Sequence, residues 1–101
     1  MILARVLGTV VASAKNERLV GSTLVLCSPL ESVEQVESLE APASKPIVAV
    51  DLVGATEGNV VLVCTGSSSQ SAAGGGPIDA AVVGLVDYVT CEGKRRNPAE
   101  K

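Results

Sequence analysis

Histidine, tryptophan and phenylalanine are absent from this 101-residue chain, and Tyr88 is its only aromatic residue. Histidine is the most frequent acid–base catalyst near neutral pH, so the usual starting point for an active site is missing. Proteins that bind single-stranded nucleic acid need aromatic side chains on which bases stack, together with a basic groove. One tyrosine and a net charge of −3 supply neither. The composition therefore argues against catalysis and against a nucleic-acid partner.

Long apolar runs are also absent, and no stretch approaches the about 20 residues that a membrane-spanning helix requires. The opening MILARVLGTVVASA lacks the basic start of a signal peptide, and Arg5 interrupts it. Cys27, Cys64 and Cys91 lie far apart without a CxxC pair, which argues against a zinc site. We expect reduced thiols in a cytoplasmic protein that does not contact a membrane.

Branched aliphatic residues are abundant, and they favour strands because they pack well on a pleated surface. Apolar residues make up 47% of a chain long enough for one domain with a modest core. Runs of them predict strands at residues 2–14, 23–28, 46–54, 59–66 and 79–91. Five short strands predict an all-β fold, either a small barrel or a curled sheet.

The first predicted strand carries apolar side chains on both faces. Simple alternation places Val6, Gly8 and Val10 on one face, and Leu7 and Val11 on the other. Such a strand is covered on both sides, by neighbouring elements or by other subunits. A glycine inside it predicts a bend or a close backbone contact.

Residues 30–45 follow another pattern, in which an apolar residue recurs at every third position and a glutamate follows each one. This predicts a short amphipathic helix that ends before Pro42, with an extended hairpin tip as the alternative. We interpret the acidic arc as a solvated face. The basic residues at 93–101 form either a solvated, frayed terminus or a docking tail for an acidic partner.

The stretch TGSSSQSAAGGGPIDAAVVG, residues 65–84, raises the question of a phosphate-binding loop. A P-loop requires GxxxxGK[ST], and a dinucleotide-binding turn requires GxGxxG between a strand and a helix. Neither spacing is present, and no lysine or arginine lies between residues 46 and 93. We therefore interpret the stretch as a connector without a bound ligand, rich in glycine because the chain turns there.

Candidate catalytic side chains are few. The serines at 67–69 have no histidine base, and the chain contains no SxxK pair. Asp51, Asp79 and Asp87 could form an acid pair, but such residues more often cap turns or form hydrogen bonds between subunits. We expect no enzymatic activity, no cofactor and no metal site.

Three blocks of the sequence follow the motif order of a known family. RVLGTVV, with Lys15, Leu19, Gly21 and Leu24 behind it, is similar to an opening K/R-V-x-G-x-V-V strand and its polar turn. DLVGATEGNVVLVCTGSSS is similar to D-x-V-G-A-G followed by V-L-V-x-x-G-S-S, and PIDAAVVGLVD to P-x-D-x-x-V-V-G-I-I-D. Together the blocks cover most of the chain, which thus resembles the EutN/CcmL family of bacterial microcompartment proteins.

The resemblance implies a five-stranded OB-like β-barrel with one short helical segment and a structural, non-enzymatic role. Family members form homopentamers that cap the fivefold vertices of an icosahedral shell in the bacterial cytoplasm. The implied partners are other copies of the chain and the hexameric tiles of the shell facets. The resemblance also divides the chain into a barrel domain at 1–92, with a family-variable acidic insert at 29–46, and a basic tail at 93–101.

The sequence departs from the family pattern at four positions. Thr56 replaces the second glycine of G-A-G, and Asn59 and Val60 replace an acid and a tryptophan. Gln70 stands where an arginine is common. If these positions touch neighbouring tiles, the contacts of this protein differ from those of other members.

Positions that match the motifs are the candidate contacts between subunits or with the shell. They are Arg5, Gly8, Gly54, Ala55, Gly66, Ser67, Ser68, Pro77, Asp79, Gly84 and Asp87. Among them, we expect Gly54 and Gly84 to lie where the backbone is crowded, so that a large charged residue at either position would disrupt assembly.

Two alternatives remain open: an OB-like module that binds a ligand or an oligonucleotide, and a small enzyme or subunit that holds an anionic ligand on the Gly–Ser loop. A fluorescence-anisotropy titration with single-stranded nucleic acid tests the first. We expect no salt-sensitive binding, because the chain lacks a basic stripe and a stacking platform. Binding that weakens as salt rises would contradict the structural interpretation.

Overall fold

The computed structural model describes residues 1–13, 15–40, 44–74 and 78–99, and its strands there form one barrel and one hairpin. The barrel closes in the order β1-β2-β3-β5-β4, and β6 pairs with β7. The predicted all-β, five-stranded barrel is therefore confirmed. The strands are β1 (Ile2–Val10), β2 (Thr23–Pro29), β3 (Ile47–Asp51), β4 (Val60–Thr65), β5 (Ala80–Leu85), β6 (Val89–Cys91) and β7 (Lys94–Arg96).

Small side chains fill the barrel interior. The buried core cluster consists of Ala4, Val6, Val25, Cys27, Ala49, Val61, Val63, Ala80 and Val82. Each fully buried valine contributes about 2 kcal/mol by leaving water. Burial raises the pKa of Cys27 to about 11, and the nearby Asp51 charge adds to the rise. That thiol is therefore a neutral core group.

A β-bulge interrupts β1 at Leu7. Val6 pairs with Cys27 of β2, but the next pair joins Gly8 to Leu26, so Leu7 has no partner on that strand. The extra residue exchanges the two faces of the strand beyond it. The simple alternation predicted for β1 is therefore wrong past Val6. The strand also ends at Val10 rather than at residue 14, because the chain has already left the barrel rim at Val11, which is 92% exposed.

Helix α1 (Ser67–Ala72) occupies part of the stretch that was predicted to be a connector. It begins after Gly66, which has φ +69°, and it packs on β4 and β5. The Ser69 hydroxyl is fully buried and donates to the backbone oxygen of Gly66 or that of Ile78. The bond to Gly66 is local, but the contact with Ile78 and the packing on β4 and β5 are not, so the local sequence carried no sign of them. The rest of the glycine run, at 75–77, lies outside the described residues.

The fifth predicted strand, 79–91, is two separate elements. β5 ends at Leu85, and the chain then turns at Asp87 into the β6–β7 hairpin. Lys94–Arg96 form β7 and pair with β6. For these three residues, the interpretation of the basic tail as a frayed terminus is therefore wrong. The division of the chain at residue 92 stays a prediction.

Two short 3₁₀ helices complete the described elements. The first spans Glu17–Leu19 between β1 and β2. The second, Val33–Glu37, is called the insert helix below, and it confirms the helical alternative for residues 30–45 over a shorter span. Its Val36 is fully buried, while Leu39 is 56% exposed. None of the helices in the described ranges is long and apolar enough to cross a membrane.

Gly54 and Gly84 were expected to lie where the backbone is crowded. Gly84 fits that expectation, because a Cβ there would lie 3.3 Å from Cδ1 of Leu62. Gly54 does not, because a Cβ there would meet no atom within 4 Å. Gly54 instead has φ +78°, a left-handed conformation that other residues rarely adopt.

We predict that Gly54→Ala lowers the free energy of unfolding by about 1 kcal/mol, because a Cβ strains left-handed backbone. Gln70→Ala is the control, since Gln70 is exposed on α1 and its φ is not positive. The control should change stability by less than about 0.5 kcal/mol. Urea unfolding of both variants checks this, and equal midpoints would contradict the strain argument.

Candidate functional site

The residues considered for catalysis have structural roles or lie apart. Asp51 caps the turn after β3: its carboxylate accepts hydrogen bonds from the backbone N–H of Val53 at 3.1 Å and of Ala55 at 2.8 Å. Ser67 and Ser68 are exposed at the start of α1. Within the described ranges, no three cysteine or acidic side chains come together as a metal site would require.

One group of predicted contact residues lies where β4 ends and β5 begins. The backbone N–H of Gly66 donates to the backbone oxygen of Asp79 at 2.9 Å. Both residues line an open groove of about 610 Å³ together with Val48. Ser67 and Ser68 follow directly in α1. Pro77, predicted for the same group, lies outside the described residues.

A second group lies toward the opposite end of β5. Gly8 and Ala55 line one cleft of about 250 Å³, and Gly54 precedes Ala55 in the same loop. Asp87 lines a different cleft of about 590 Å³, beside Asn97. Gly84 lies on the outside of β5 against Leu62. The structure thus distributes the predicted contact residues over several places, and their role between subunits stays a prediction.

Arg5 acts inside the chain, where only 3% of it is exposed. Its Nη1 donates to the backbone oxygen of Gly58 at 2.7 Å, and its Nη2 to those of Gln35 at 3.2 Å and Val36 at 3.0 Å. Burial lowers its pKa, but a guanidinium stays charged in proteins. One side chain therefore fastens the insert helix to β1 and to the turn before β4.

Arg96 of β7 contacts the acidic face of the insert helix. Its Nη1 lies 3.0 Å from Oε1 of Glu37, and its Nη2 lies 3.9 Å from Oε1 of Glu34. Hydrogen bonds from its own backbone N–H and from Ser32 lower the pKa of Glu34, and the charge of Arg96 contributes less. The backbone N–H of Ala99 also donates to the backbone oxygen of Val36 in the insert helix at 3.1 Å.

The acidic arc and the basic tail are both visible in the sequence, but the binding of one to the other is not. Part of the arc that we interpreted as solvated is paired with Arg96. The tail next to it is held by its own contact, because the Arg95 guanidinium stacks over the Tyr88 ring at 4.0 Å. The opposite charges of the two segments were the only available signal.

Comparison with known proteins gives a consistent result. The family described as ethanolamine utilisation protein EutN/carboxysome matches residues 1–87. GrpN of Rhodospirillum rubrum, a bacterial microcompartment shell vertex protein, is 44% identical over 91 residues, which are 88% of this chain and 96% of GrpN. PduN of Salmonella typhimurium, also a shell vertex protein, is 41% identical over 90% of this chain and its own full length.

A solved structure is similar as well. It is that of GrpN from Rhodospirillum rubrum, described as a pentameric microcompartment shell protein. Its TM-score to this chain is 0.76 at 41% sequence identity, over 90% of this chain and 99% of the GrpN chain.

We predict that Arg5→Met lowers the free energy of unfolding by about 3 kcal/mol, because three backbone carbonyls lose their donor. Arg5→Lys should recover only part of the loss, because one ammonium cannot match the spread of the guanidinium donors. Arg18→Met, at an exposed arginine, is the control and should change little. Urea unfolding measures all three, and an unchanged midpoint for Arg5→Met would refute the fastening role.

Proposed function

This chain belongs to the EutN/CcmL family, and from that premise we propose that it is a structural subunit of a bacterial microcompartment shell. Five copies form a ring that caps a fivefold vertex of the shell in the bacterial cytoplasm. The observation that carries the proposal is the likeness to the pentameric GrpN, in sequence and in structure, over nearly the whole of both chains.

The protomer itself supports a structural role. Its charged side chains with described long-range contacts, Arg5 and Arg96, fasten its own segments. The stacking partner of Tyr88 is also internal, since Arg95 covers its ring. Neither feature favours the alternative of an OB-like binding module. A vertex subunit needs a rigid body of defined shape, and the closed barrel provides it.

We further propose that the ring seats among hexameric facet tiles. The residues that depart from the family pattern bear on that contact. The Asn59 side chain accepts a hydrogen bond from the backbone N–H of Thr56 at 2.8 Å, which closes the turn before β4. Gln70 is exposed on α1. The Thr56–Asn59 pair therefore shapes a turn, whereas Gln70 is free to contact a tile.

The mass of the purified protein tests the ring. We predict a species of about 51 kDa, five times the 10.2 kDa chain, at low micromolar concentration. Native mass spectrometry and analytical ultracentrifugation measure it independently. A stable monomer or dimer under those conditions would sink the proposal.

A further inference from the structure

The outside of the barrel is apolar where a solvated sheet would be polar. Strands with one face in water normally alternate apolar and polar residues. In β2, however, the outward Leu24 and Leu26 alternate with the core residue Val25. Their partners on β3 are Val50 and Val48, which therefore point outward too. A patch of aliphatic side chains thus faces away from the core.

The bulge in β1 extends this patch. Beyond Leu7, the residues opposite Leu26 and Leu24 are Gly8 and Val10, so these also face outward. Val48 is 45% exposed, and Leu24 and Leu26 are only partly buried. We call the patch the first face, and it carries no charged side chain. Its members are Gly8, Val10, Leu24, Leu26 and Val48. Val50 lies beside them as the partner of Leu24, but only 5% of it is exposed, so it is not counted in the face.

A second apolar row crosses the other half of the barrel. Leu3 of β1 pairs with Leu62 of β4, and Leu62 pairs with Gly84 of β5. All three are partly buried. Gly84 leaves the space that Leu62 occupies, since a Cβ there would approach its Cδ1 to 3.3 Å. We call this row the second face.

Between the two faces, the chain covers its own surface. Arg5 points outward from β1, and so do its partners Ser28 on β2 and Val60 on β4. All three residues of this row are nevertheless at most 3% exposed. The insert helix lies over this row, held by the bonds from Arg5 to Gln35 and Val36. The protomer therefore buries the middle of its outer surface and leaves two separate aliphatic faces uncovered.

We propose that the first face of one copy packs against the second face of the next copy around the ring. This inference rests on the proposed pentamer. A ring requires a head-to-tail contact between two different surfaces, whereas a single self-complementary surface gives a dimer. The centres of oligomer interfaces are apolar and poor in charge, as both faces are. A second copy is the occupant because the similar GrpN is pentameric.

Charge placed in the first face tests the contact. Val48→Glu should abolish the 51 kDa species at concentrations where the unsubstituted chain is fully assembled, because the interface would bury an unpaired carboxylate. Leu39→Glu is the control: it introduces the same charge at an exposed aliphatic residue of the insert that belongs to neither face. It should leave the mass unchanged. Circular dichroism establishes that both variants are folded.

Mixing two variants tests the head-to-tail pairing. Leu62→Glu disables the second face. If Leu62→Glu does not fold, Leu3→Glu is used as the second-face variant instead. Each variant alone should be a monomer. A mixture of Val48→Glu with the second-face variant retains one intact pair of faces, so it should give a species of about 20 kDa, twice the chain mass, and nothing larger.

The outcomes separate this inference from the proposed function. If the unsubstituted chain is not a pentamer, the proposed function fails. If it is a pentamer and Val48→Glu still assembles, the ring forms but the inference about the faces is wrong. Dimers of Leu62→Glu alone would show that the first face pairs with itself, which also overturns the inference.

Discussion

The narrow interior of a five-stranded barrel is the constraint on which the other features depend. Closing so few strands leaves room only for short side chains, and the core cluster consists of valine, alanine and cysteine. Leucines cannot enter in number, so Leu3, Leu24, Leu26 and Leu62 lie outside. An isolated protomer therefore presents large aliphatic groups to water. The apolar outer surface follows from the small core, and it creates the requirement for partners.

The chain covers part of that surface with its own segments, and it uses charge to hold them. The buried guanidinium of Arg5 donates hydrogen bonds to backbone oxygens from Nη1 and Nη2. Its Nε is buried without an acceptor in the described part of the chain. Desolvating a cation is costly, and the three hydrogen bonds from Arg5 to backbone oxygens offset that cost. Arg96 binds Glu37 and Glu34 of the insert helix; its side chain is also largely buried and its Nε too lacks a partner in the described residues, but its two carboxylate partners keep much of their contact with water. One part of the apolar outer surface is thus covered by the chain's own insert helix, and the rest is left for contacts with other copies.

The strands were predictable because valine-rich runs between turn residues are a local signal, whereas the choice of a closed barrel over a curled sheet came from the family resemblance. The cores of β2, β3 and β4 lie where the runs predicted them. The bulge at Leu7 was not predictable, because it exists only in the register with β2. Helix α1 was missed because serine and alanine carry no apolar period, and the bonds of Ser69 reach Ile78 across the chain. The contact between Arg96 and Glu37 joins residues 59 positions apart, a pairing that no local pattern specifies.

The roles of the contact residues carried over from the family motifs could not be predicted from local sequence either. Motif positions identify residues that matter without stating why. The structure gives Arg5 an internal role, gives Gly54 a conformational one, and places Gly8 and Gly84 on the two outer faces. The aliphatic members of those faces, such as Leu26 and Leu62, drew no attention in sequence because strands are expected to contain leucine. Only the pairing register shows that they point away from the core.

The bulge also has a mechanical consequence. Because it exchanges the faces of β1, one strand contributes Leu3 to the second face and Gly8 and Val10 to the first. In the proposed ring, the contacts with the left and right neighbours therefore share a single stretch of backbone. Within each copy, a load on one interface therefore reaches the other interface along a single covalent strand, without deforming the core. If the ring is stretched, it should yield at the packing between copies rather than inside the protomer.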